Sequence, residues 1–283
     1  HRLDVDVVVS NTVVFPTGAI AAALARRRHA WIIHEPVAGW HYDVPPFARW
    51  LLRHRGHTLA TVSDFNRRAW CDWLGPVRIE VIDQWVELPD DGPLPPPIDD
   101  ARPRILVVGA TPRKRADEVL DAVGRLALLG TEVRLDVMGD GPVSYGDQLR
   151  TQAQRLGVAH FVRLLGPIDV SRRLLLQYAA VVVACRDETF GRAAVEALLA
   201  GVPVVAARAG ATPAVLHGVP GGALYEPGDE ASLAARVLHV LTSRQQPGSS
   251  ASAAALHIAP WSDEMRFAAA LQRLLNIDSE ASR

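Results

Sequence analysis

The sequence has few of the residues that define several common protein classes. Only two cysteines occur among 283 residues, Cys71 and Cys185, and they lack the paired spacing of a zinc or redox site. Lys114 is the only lysine, and the formal net charge is -1. Nothing therefore indicates the excess of positive charge with which proteins bind nucleic acid. We expect no nucleic-acid partner, and the cysteine usage favours a reducing, cytoplasmic location.

Long apolar runs and familiar cofactor motifs are also missing. No run approaches the roughly 20 apolar residues that span a bilayer, and the polar start is unlike a signal peptide. No Gly-x-Gly-x-x-Gly motif opens either half of the chain, which argues against a nicotinamide enzyme. Asp4 and Asp6 precede a predicted strand instead of following one, and His54 and His57 lack companion carboxylates. We therefore expect no bound metal and no cofactor.

The first third of the chain alternates between short β-branched runs and stretches of helical composition. The predicted strands cover residues 5–9, 30–33, 59–62 and 79–82, and the predicted helices cover residues 18–28, 47–55 and 65–74. Strand, helix and strand at this spacing form βαβ units, which build a parallel sheet buried on both faces. Because the chain starts at His1 and enters a strand almost at once, we expect it to be a piece of a longer protein.

A proline-rich segment, residues 90–100, then interrupts the pattern, because proline lacks a backbone donor and fixes φ. The alternation restarts after it. Strands are predicted at residues 104–108, 132–138, 161–164, 181–184 and 202–206, and helices at residues 116–129, 144–156, 170–178 and 191–200. A low-complexity stretch, residues 245–255, precedes a last predicted helix over residues 262–275.

These patterns predict an α/β protein with two Rossmann-like, doubly wound parallel-sheet domains, of which the N-terminal one is incomplete. The predicted domains are residues 1–95, a partial N-terminal domain, and residues 104–255, a ligand-binding domain. Residues 256–283 form a C-terminal helix that we expect to pack back on the first domain.

Two glutamates separated by seven residues are the strongest local feature. The helix predicted from Gly191 is apolar almost all round, so Glu196 inside it must face a cleft or have a partner. Glu188 lies between a strand end and this helix, where parallel sheets place ligands. The N–H groups of Phe190, Gly191 and Arg192 would form an anion site at the helix N-terminus. The alternative is a capping carboxylate followed by a solvated helix glutamate.

A second candidate site lies between the strand at residues 104–108 and the helix that follows it. Gly109 begins this loop, and three cations end it: Arg113, Lys114 and Arg115. Cations beside a helix N-terminus suit a diphosphate, both as charge partners and as stabilisers of a leaving group. The alternative is a solvated cluster on an ordinary loop.

The order of these motifs resembles the group 1 glycosyltransferases (glycosyltransferase family 4, GT-B fold). Phe-Gly follows Glu188, and Glu-Ala-x-x-Ala-Gly-x-Pro-Val-Val begins at Glu196. The similarity extends over most of residues 104–241 and includes the segments 139–142, 165–166 and 225–229.

This resemblance implies a retaining, metal-independent transferase that moves a sugar from a nucleoside diphosphate sugar to an acceptor hydroxyl. Glu188 would contact the donor sugar and Glu196 the ribose hydroxyls, since carboxylates accept paired hydrogen bonds from vicinal diols. The family has arginine where this chain has Ala110 and lysine where it has Arg115. Arg115 would take the lysine's role and Arg113 that of the missing arginine.

The resemblance and the local patterns together define one predicted site. The predicted catalytic residues are Glu188, Arg115, Arg113 and His34. The predicted donor-binding residues are Gly109, Lys114, Gly139, Asp140, Arg163, Leu164, Thr189, Phe190, Gly191, Arg192 and Glu196. The acceptor is left open between a glycan, a lipid and a small molecule.

The N-terminal half contributes His34, which ends a predicted strand where the family often has a histidine. Asn11 ends the preceding strand, where several relatives have a histidine. An isolated histidine after a strand is also a common turn residue. The helix over residues 47–55 mixes Trp50 with arginines, which indicates either an ordinary amphipathic surface helix or a weak peripheral contact with the inner membrane face.

Two other function classes stay open at this point. A non-catalytic or truncated nucleotide-sugar-binding module would keep the donor site without the transfer. A nucleotide-sugar epimerase or a phosphorylase of the same fold would keep the donor site and change the reaction.

Overall fold

The computed structural model describes residues 5–37, 46–53, 57–97, 100–243 and 249–275. Its strands are β1 (Val7–Ser10), β2 (Arg28–Ile33), β3 (His57–Thr61), β4 (Glu80–Val81), β5 (Arg104–Val108), β6 (Arg134–Met138), β7 (Val162–Gly166), β8 (Ala180–Val183), β9 (Val204–Ala207) and β10 (Gly222–Tyr225). Its α-helices are α1 (Thr17–Ala25), α2 (Pro46–Leu52), α3 (Asp64–Leu74), α4 (Ala116–Leu128), α5 (Val143–Arg155), α6 (Arg172–Leu175), α7 (Arg192–Leu199), α8 (Thr212–Val215), α9 (Glu230–Thr242), α10 (Ser249–Ser262) and α11 (Glu264–Leu275).

The chain divides into two compact units, one formed by residues 1–85 with 263–283 and the other by residues 86–262. The last helix, α11, belongs to the first unit, where it contacts β3. Arg28 also donates a 2.8 Å hydrogen bond to the carbonyl oxygen of Leu275 at the end of α11. The chain therefore leaves the first unit once and returns to it.

The first unit is built on a parallel sheet with the strand order β1-β2-β3-β4. Trp31 and Ile33 of β2 pack with Trp70 of α3 in its core. The helix α3 begins after Ser63, whose hydroxyl accepts a 3.1 Å hydrogen bond from the Asn66 backbone N–H. The Asn66 amide in turn donates to the Ile33 carbonyl oxygen at 3.1 Å. These contacts fix the end of β2, which carries a predicted site residue.

The second unit is built on a parallel sheet with the strand order β10-β9-β8-β5-β6-β7. The chain starts at β5 in the middle, runs outward to β7, and then crosses back to β8. All four residues of β8 are buried, as expected for a strand covered on both faces. The order of the strands reverses between β5 and β8, and the crevice at their carboxyl ends is where such sheets bind ligands.

The predicted α/β fold class is confirmed: both units are built on parallel sheets with flanking helices, and β5 has the predicted bounds. The strand order reverses only in the second unit, because β1 to β4 of the first follow one another in sequence order. Two local predictions are wrong, and one region contains elements that the sequence analysis did not predict. The low-complexity stretch contains part of a helix, α10, so Ser262 ends that helix instead of starting the last one. Residues 222–242, given no element from the sequence, form β10 and α9. The helix predicted over residues 170–178 is only one turn long, since α6 covers Arg172–Leu175 alone.

Two further findings concern the described part of the chain alone. None of its helices combines the length and the apolar character needed to cross a bilayer. None of its His, Cys, Asp and Glu side chains form a group of three or more that could hold a metal ion. Asp4 and His54 lie outside the described residues.

A buried histidine lies in the first unit between β1 and β3. The Nε2 atom of His29 lies 2.9 Å from the Ser10 hydroxyl oxygen, and its ring packs edge-on against Trp31 and His57. Burial, with a contribution from His57, lowers the pKa of His29 from 6.5 to about 4. The folded protein therefore holds this ring in the neutral form.

This histidine predicts a loss of stability in mild acid. The unfolded chain protonates His29 near pH 6.5, whereas the folded protein does so only near pH 4, so the contribution of this group is lost as the pH falls through that window. In thermal melts between pH 6.5 and 4, we expect His29→Gln to have a smaller fall in melting temperature than the wild type. His239→Gln, at an exposed position on α9, serves as the control. An equal fall in melting temperature for wild type and His29→Gln over this pH range would contradict the role given to His29.

Candidate active site

The candidate site lies at the carboxyl edge of the six-stranded sheet, where the loops after β5 and β6 meet. Gly109 has a φ of 105° and Gly139 a φ of 121°, values that favour glycine. The Gly109 N–H donates a 2.6 Å hydrogen bond to the Met138 carbonyl oxygen. A Cβ atom on Gly141 would lie 1.6 Å from the Ala110 carbonyl oxygen. These glycines therefore let the two loops approach at backbone distance.

This close approach predicts the effect of one added methyl group. Gly141→Ala cannot be accommodated unless the loops separate, so we expect it to lower the free energy of unfolding by about 2 kcal/mol. Gly146→Ala is the matched control, because it lies in α5 and its Cβ would meet nothing nearer than 3.6 Å. The control should raise stability by roughly 0.5 kcal/mol. Denaturant unfolding measures both, and equal stabilities would show that the loops are not in contact.

Two ion pairs join the loop after β5 to the loop after β8. The Nε atom of Arg113 lies 2.9 Å from an Asp187 carboxylate oxygen, and Arg113 also donates to the Asp187 carbonyl oxygen at 2.8 Å. The Nζ atom of Lys114 donates a 2.7 Å hydrogen bond to Glu188 Oε2. The neighbouring strands β5 and β8 therefore bring the predicted donor-binding Lys114 and the predicted catalytic Glu188 together, although 74 residues separate them in sequence.

Glu188 is held as a carboxylate by this arrangement. Burial acts to raise its pKa, but the charges of Lys114 and Arg113 outweigh that effect and hold the pKa of Glu188 below its ordinary value. The Ala211 N–H donates to the Glu188 carbonyl oxygen at 2.8 Å, and a Cβ atom on Gly210 would lie 2.6 Å from the same oxygen. The backbone at Glu188 is thus fixed by the loop after β9.

The third cation of the loop points elsewhere. Arg115 has left-handed backbone angles, with φ 56° and ψ 40°, and lies at the N-cap of α4. Its Nη2 atom is 3.3 Å from an Asp117 carboxylate oxygen and 3.6 Å from Glu118 Oε2. The sequence predicted three cations around one diphosphate. In the structure, Arg113 and Lys114 pair with residues of the loop after β8, and Arg115 pairs with the first turn of α4.

The signature helix α7 begins after Gly191, whose φ is 97°. Arg192 donates a 2.6 Å hydrogen bond to Glu196 Oε1, which supplies the partner that the buried carboxylate needs. Burial raises the pKa of Glu196, and Arg192 offsets part of that effect. Thr189 and Phe190 are buried before the helix, and the Phe190 ring packs edge-on against Trp261 of α10.

The remaining predicted donor residues lie either at the carboxyl edge of the sheet or within the strand β7. Gly139 and Asp140 follow β6 at the carboxyl edge, and Leu164 lies in β7 opposite Val137. Arg163 also lies in β7, but its guanidinium donates to the buried Asp136 carboxylate at 2.8 and 2.5 Å. The side chain of Arg163 is therefore engaged with Asp136 and with the Pro96 carbonyl oxygen.

In the first unit, the structure places His34 between two amides. Its Nε2 atom lies 2.7 Å from Asn11 Oδ1, and its Nδ1 atom lies 2.6 Å from Gln84 Nε2. An amide oxygen accepts and an amide nitrogen donates, so the ring carries its proton on Nε2. Burial lowers the pKa of His34, although the nearby Glu35 acts to raise it. His34 is thus a neutral histidine in one tautomer, at the end of β2.

Sequence reasoning missed three residues of these clusters. Asp187 was given no role, although its position beside Glu188 was an available signal. Gln84 carries no local signal because its partner His34 is 50 residues away, and Arg186, Tyr225 and Gly228, which donate to Glu118, lie further away still in the sequence. Only the three-dimensional arrangement identifies them.

The comparisons with known proteins agree with this architecture. A family model described as "Glycosyl transferases group 1" matches residues 102–243. D-inositol 3-phosphate glycosyltransferase 2 of Catenulispora acidiphila is 35% identical over 158 residues, which are 51% of this chain and 36% of that protein. Phosphatidyl-myo-inositol mannosyltransferase of Mycobacterium leprae is 34% identical over 133 residues, which are 46% of this chain and 34% of that protein.

Among solved structures, HepE of Anabaena in complex with UDP and glucose superposes with a TM-score of 0.82 at 24% identity. The superposition covers 96% of this chain and 78% of HepE, and identity at this level shows the fold alone. The protein is thus an α/β protein with the architecture of GT-B glycosyltransferases. On the family match, the chain belongs to the group 1 glycosyl transferases. It spans about a third of the length of the two relatives above.

Proposed function

We propose that this protein is a retaining, metal-independent transferase that moves a sugar from a nucleoside diphosphate sugar to an acceptor hydroxyl. The observation that carries the proposal is the pairing of Lys114 with Glu188 at the switch point between β5 and β8. That crevice combines cations for a diphosphate with a carboxylate for sugar hydroxyls. Family membership supports the same reaction class.

The proposed chemistry uses the site residues as charge partners. The bond between the anomeric carbon and the diphosphate oxygen breaks, and the acceptor oxygen bonds to that carbon from the same face. A phosphate oxygen takes the acceptor proton, so no protein nucleophile is required. Arg113, Arg115 and the helix amides at Gly191 would stabilise the departing diphosphate, and Glu188 would orient the sugar.

The acceptor half of the proposal rests on the first unit. The Nε2–H group of His34 is a fixed hydrogen-bond donor at the carboxyl end of β2. We place it at the acceptor, where the attacking hydroxyl would replace the Asn11 amide oxygen as the partner of this N–H group. The names of the relatives point to inositol-containing acceptors, and these are the first acceptors to try.

The test is an assay with UDP-glucose and GDP-mannose as donors, and D-inositol 3-phosphate and phosphatidylinositol as acceptors. Release of nucleoside diphosphate only when an acceptor is present supports the transferase. Binding of a donor without release identifies a non-catalytic nucleotide-sugar-binding module. An altered sugar on an intact donor identifies an epimerase, and release of a sugar phosphate identifies a phosphorylase.

The ribose role of Glu196 gives a separate binding prediction. We expect Glu196→Gln to raise the Kd for UDP by about tenfold, since a hydrogen bond to a charged group contributes roughly 1.5 kcal/mol or more. The side chain of Arg192 is 60% exposed, so it stays solvated after the change and the fold should hold. Glu226→Gln, an exposed glutamate paired with Arg208, is the control. If calorimetry gives the same Kd for UDP with the wild type, Glu196→Gln and Glu226→Gln, the ribose role of Glu196 is wrong.

A further inference from the structure

Another buried carboxylate lies in the first turn of the helix that follows the β5 loop of the proposed donor site. Glu118 is in the first turn of α4, and its side chain is only 3% exposed. Its Oε1 atom accepts hydrogen bonds from the Tyr225 hydroxyl at 3.0 Å and from the Gly228 N–H at 2.8 Å. Its Oε2 atom accepts from Arg186 at 2.9 Å and lies 3.6 Å from Arg115 Nη2. One carboxylate therefore joins four other residues.

Tyr225 ends β10, and the other three partners come from separate loops at the same edge of the sheet. Arg115 ends the loop after β5, Arg186 lies in the loop after β8, and Gly228 lies in the loop after β10. A buried carboxylate without partners would cost several kcal/mol, so the charge is tolerated because these donors surround it. Burial and the Glu118 charge both raise the pKa of Tyr225, which keeps its hydroxyl protonated as a donor.

Two of the partners connect Glu118 directly to the proposed chemistry. Arg186 immediately precedes Asp187 and Glu188, the residues that pair with Arg113 and Lys114. Arg115, proposed for the diphosphate, has a left-handed backbone that non-glycine residues adopt only when their surroundings hold them. The Glu118 carboxylate supplies an ionic partner for both arginines.

We propose that Glu118 is a positioning residue for sugar transfer, which holds Arg115 and the loop after β8 in the arrangement that the departing diphosphate requires. This inference rests on the proposed transferase function. Glu118 itself touches neither donor nor acceptor in this assignment. Its loss should therefore affect the transition state more than the binding of the donor, since small displacements of aligned groups cost rate steeply.

The test compares Glu118→Gln with a matched variant, Asp100→Asn. Asp100 also pairs with two arginines, Arg102 and Arg134, but it precedes β5 at the opposite edge of the sheet. With UDP-glucose as the varied substrate, we expect Glu118→Gln to lower kcat at least about tenfold and to change KM less than about threefold. Asp100→Asn should lower the melting temperature and leave kcat within about twofold of the wild type.

Tyr225→Phe removes a single donor to Glu118 and is the second variant if Glu118→Gln does not fold. We expect its kcat to fall about threefold, with KM unchanged. Wild-type kcat in either variant, or an equal loss of kcat in Asp100→Asn, overturns the role of Glu118. A wild-type protein that turns over none of the donors overturns the transferase itself, and the Glu118 role with it, which separates the two failures.

Discussion

Replacement of Arg115 by alanine is expected to lower turnover by about 10²- to 10³-fold, the usual effect of removing one donor that stabilises developing charge. The side chain of Arg115 is 37% exposed at the N-cap of α4, so part of its guanidinium stays open to a diphosphate while Asp117 and Glu118 hold it. Steady-state release of nucleoside diphosphate measures the effect. Thermal melting should show a folded protein.

The backbone of Arg115 calls for a second variant alongside alanine. Arg115→Gly removes the same guanidinium but relieves the left-handed strain, because glycine adopts a φ of 56° freely. If the cation is what matters, alanine and glycine lose the same turnover although glycine is more stable. Arg125→Ala, at an exposed position in the last turn of the same helix, is the control. Wild-type turnover in Arg115→Ala would remove the diphosphate role.

Much of the fold followed from the sequence because buried parallel strands are continuous apolar runs. The run at β5 has polar or glycine residues on both sides, and its predicted bounds are the observed ones. The helix α10 was missed for the opposite reason. Its serine- and alanine-rich composition resembles low complexity, yet alanine favours helix, and Ala254 and Ile258 are buried in the structure.

The candidate site was predictable as a set of loops, but its pairings were not. Glu188 and Lys114 each stood out from their neighbours, since one was a carboxylate before an apolar helix and the other the only lysine. Which cation faces which carboxylate depends on the order of β5 and β8 in the sheet, and on the φ of Arg115. Both are set by packing, so the contacts of Arg115 with the first turn of α4 could not be predicted from the sequence.

The second large effect that we expect is a loss of stability when the ion pair of Lys114 and Glu188 is broken. Lys114→Met leaves the Glu188 carboxylate, whose side chain is 11% exposed, without its nearest cation. Loss of one partner of a buried pair costs about 3 kcal/mol, so we expect a loss of stability of this size at pH 7. Glu188→Gln should cost less, because the side chain of Lys114 is 25% exposed and can remain solvated.

A double-mutant cycle then separates the structural role of the pair from its function. In Lys114→Met/Glu188→Gln no charge is left unpaired, so the double variant should recover most of the stability lost in Lys114→Met. Turnover should stay low in all three proteins, since both groups are proposed to contact the donor. Recovery of turnover together with stability would show that the pair only holds the loops together.

The pH dependence of stability in the wild type and in Lys114→Met tests whether Glu188 is the charged group that Lys114 stabilises. In the wild type the pKa of Glu188 is lowered, so its stabilising contribution is present at neutral pH and is lost as the pH falls through that pKa. In Lys114→Met the charge of Lys114 no longer opposes the effect of burial, so the pKa of Glu188 rises. Acid then protonates the Glu188 carboxylate and removes the free-energy cost of burying its charge. The stability difference between wild type and Lys114→Met should therefore shrink as the pH falls from 7 toward 4. Denaturant unfolding at each pH measures it, and a constant difference would mean that Glu188 is not the group Lys114 stabilises.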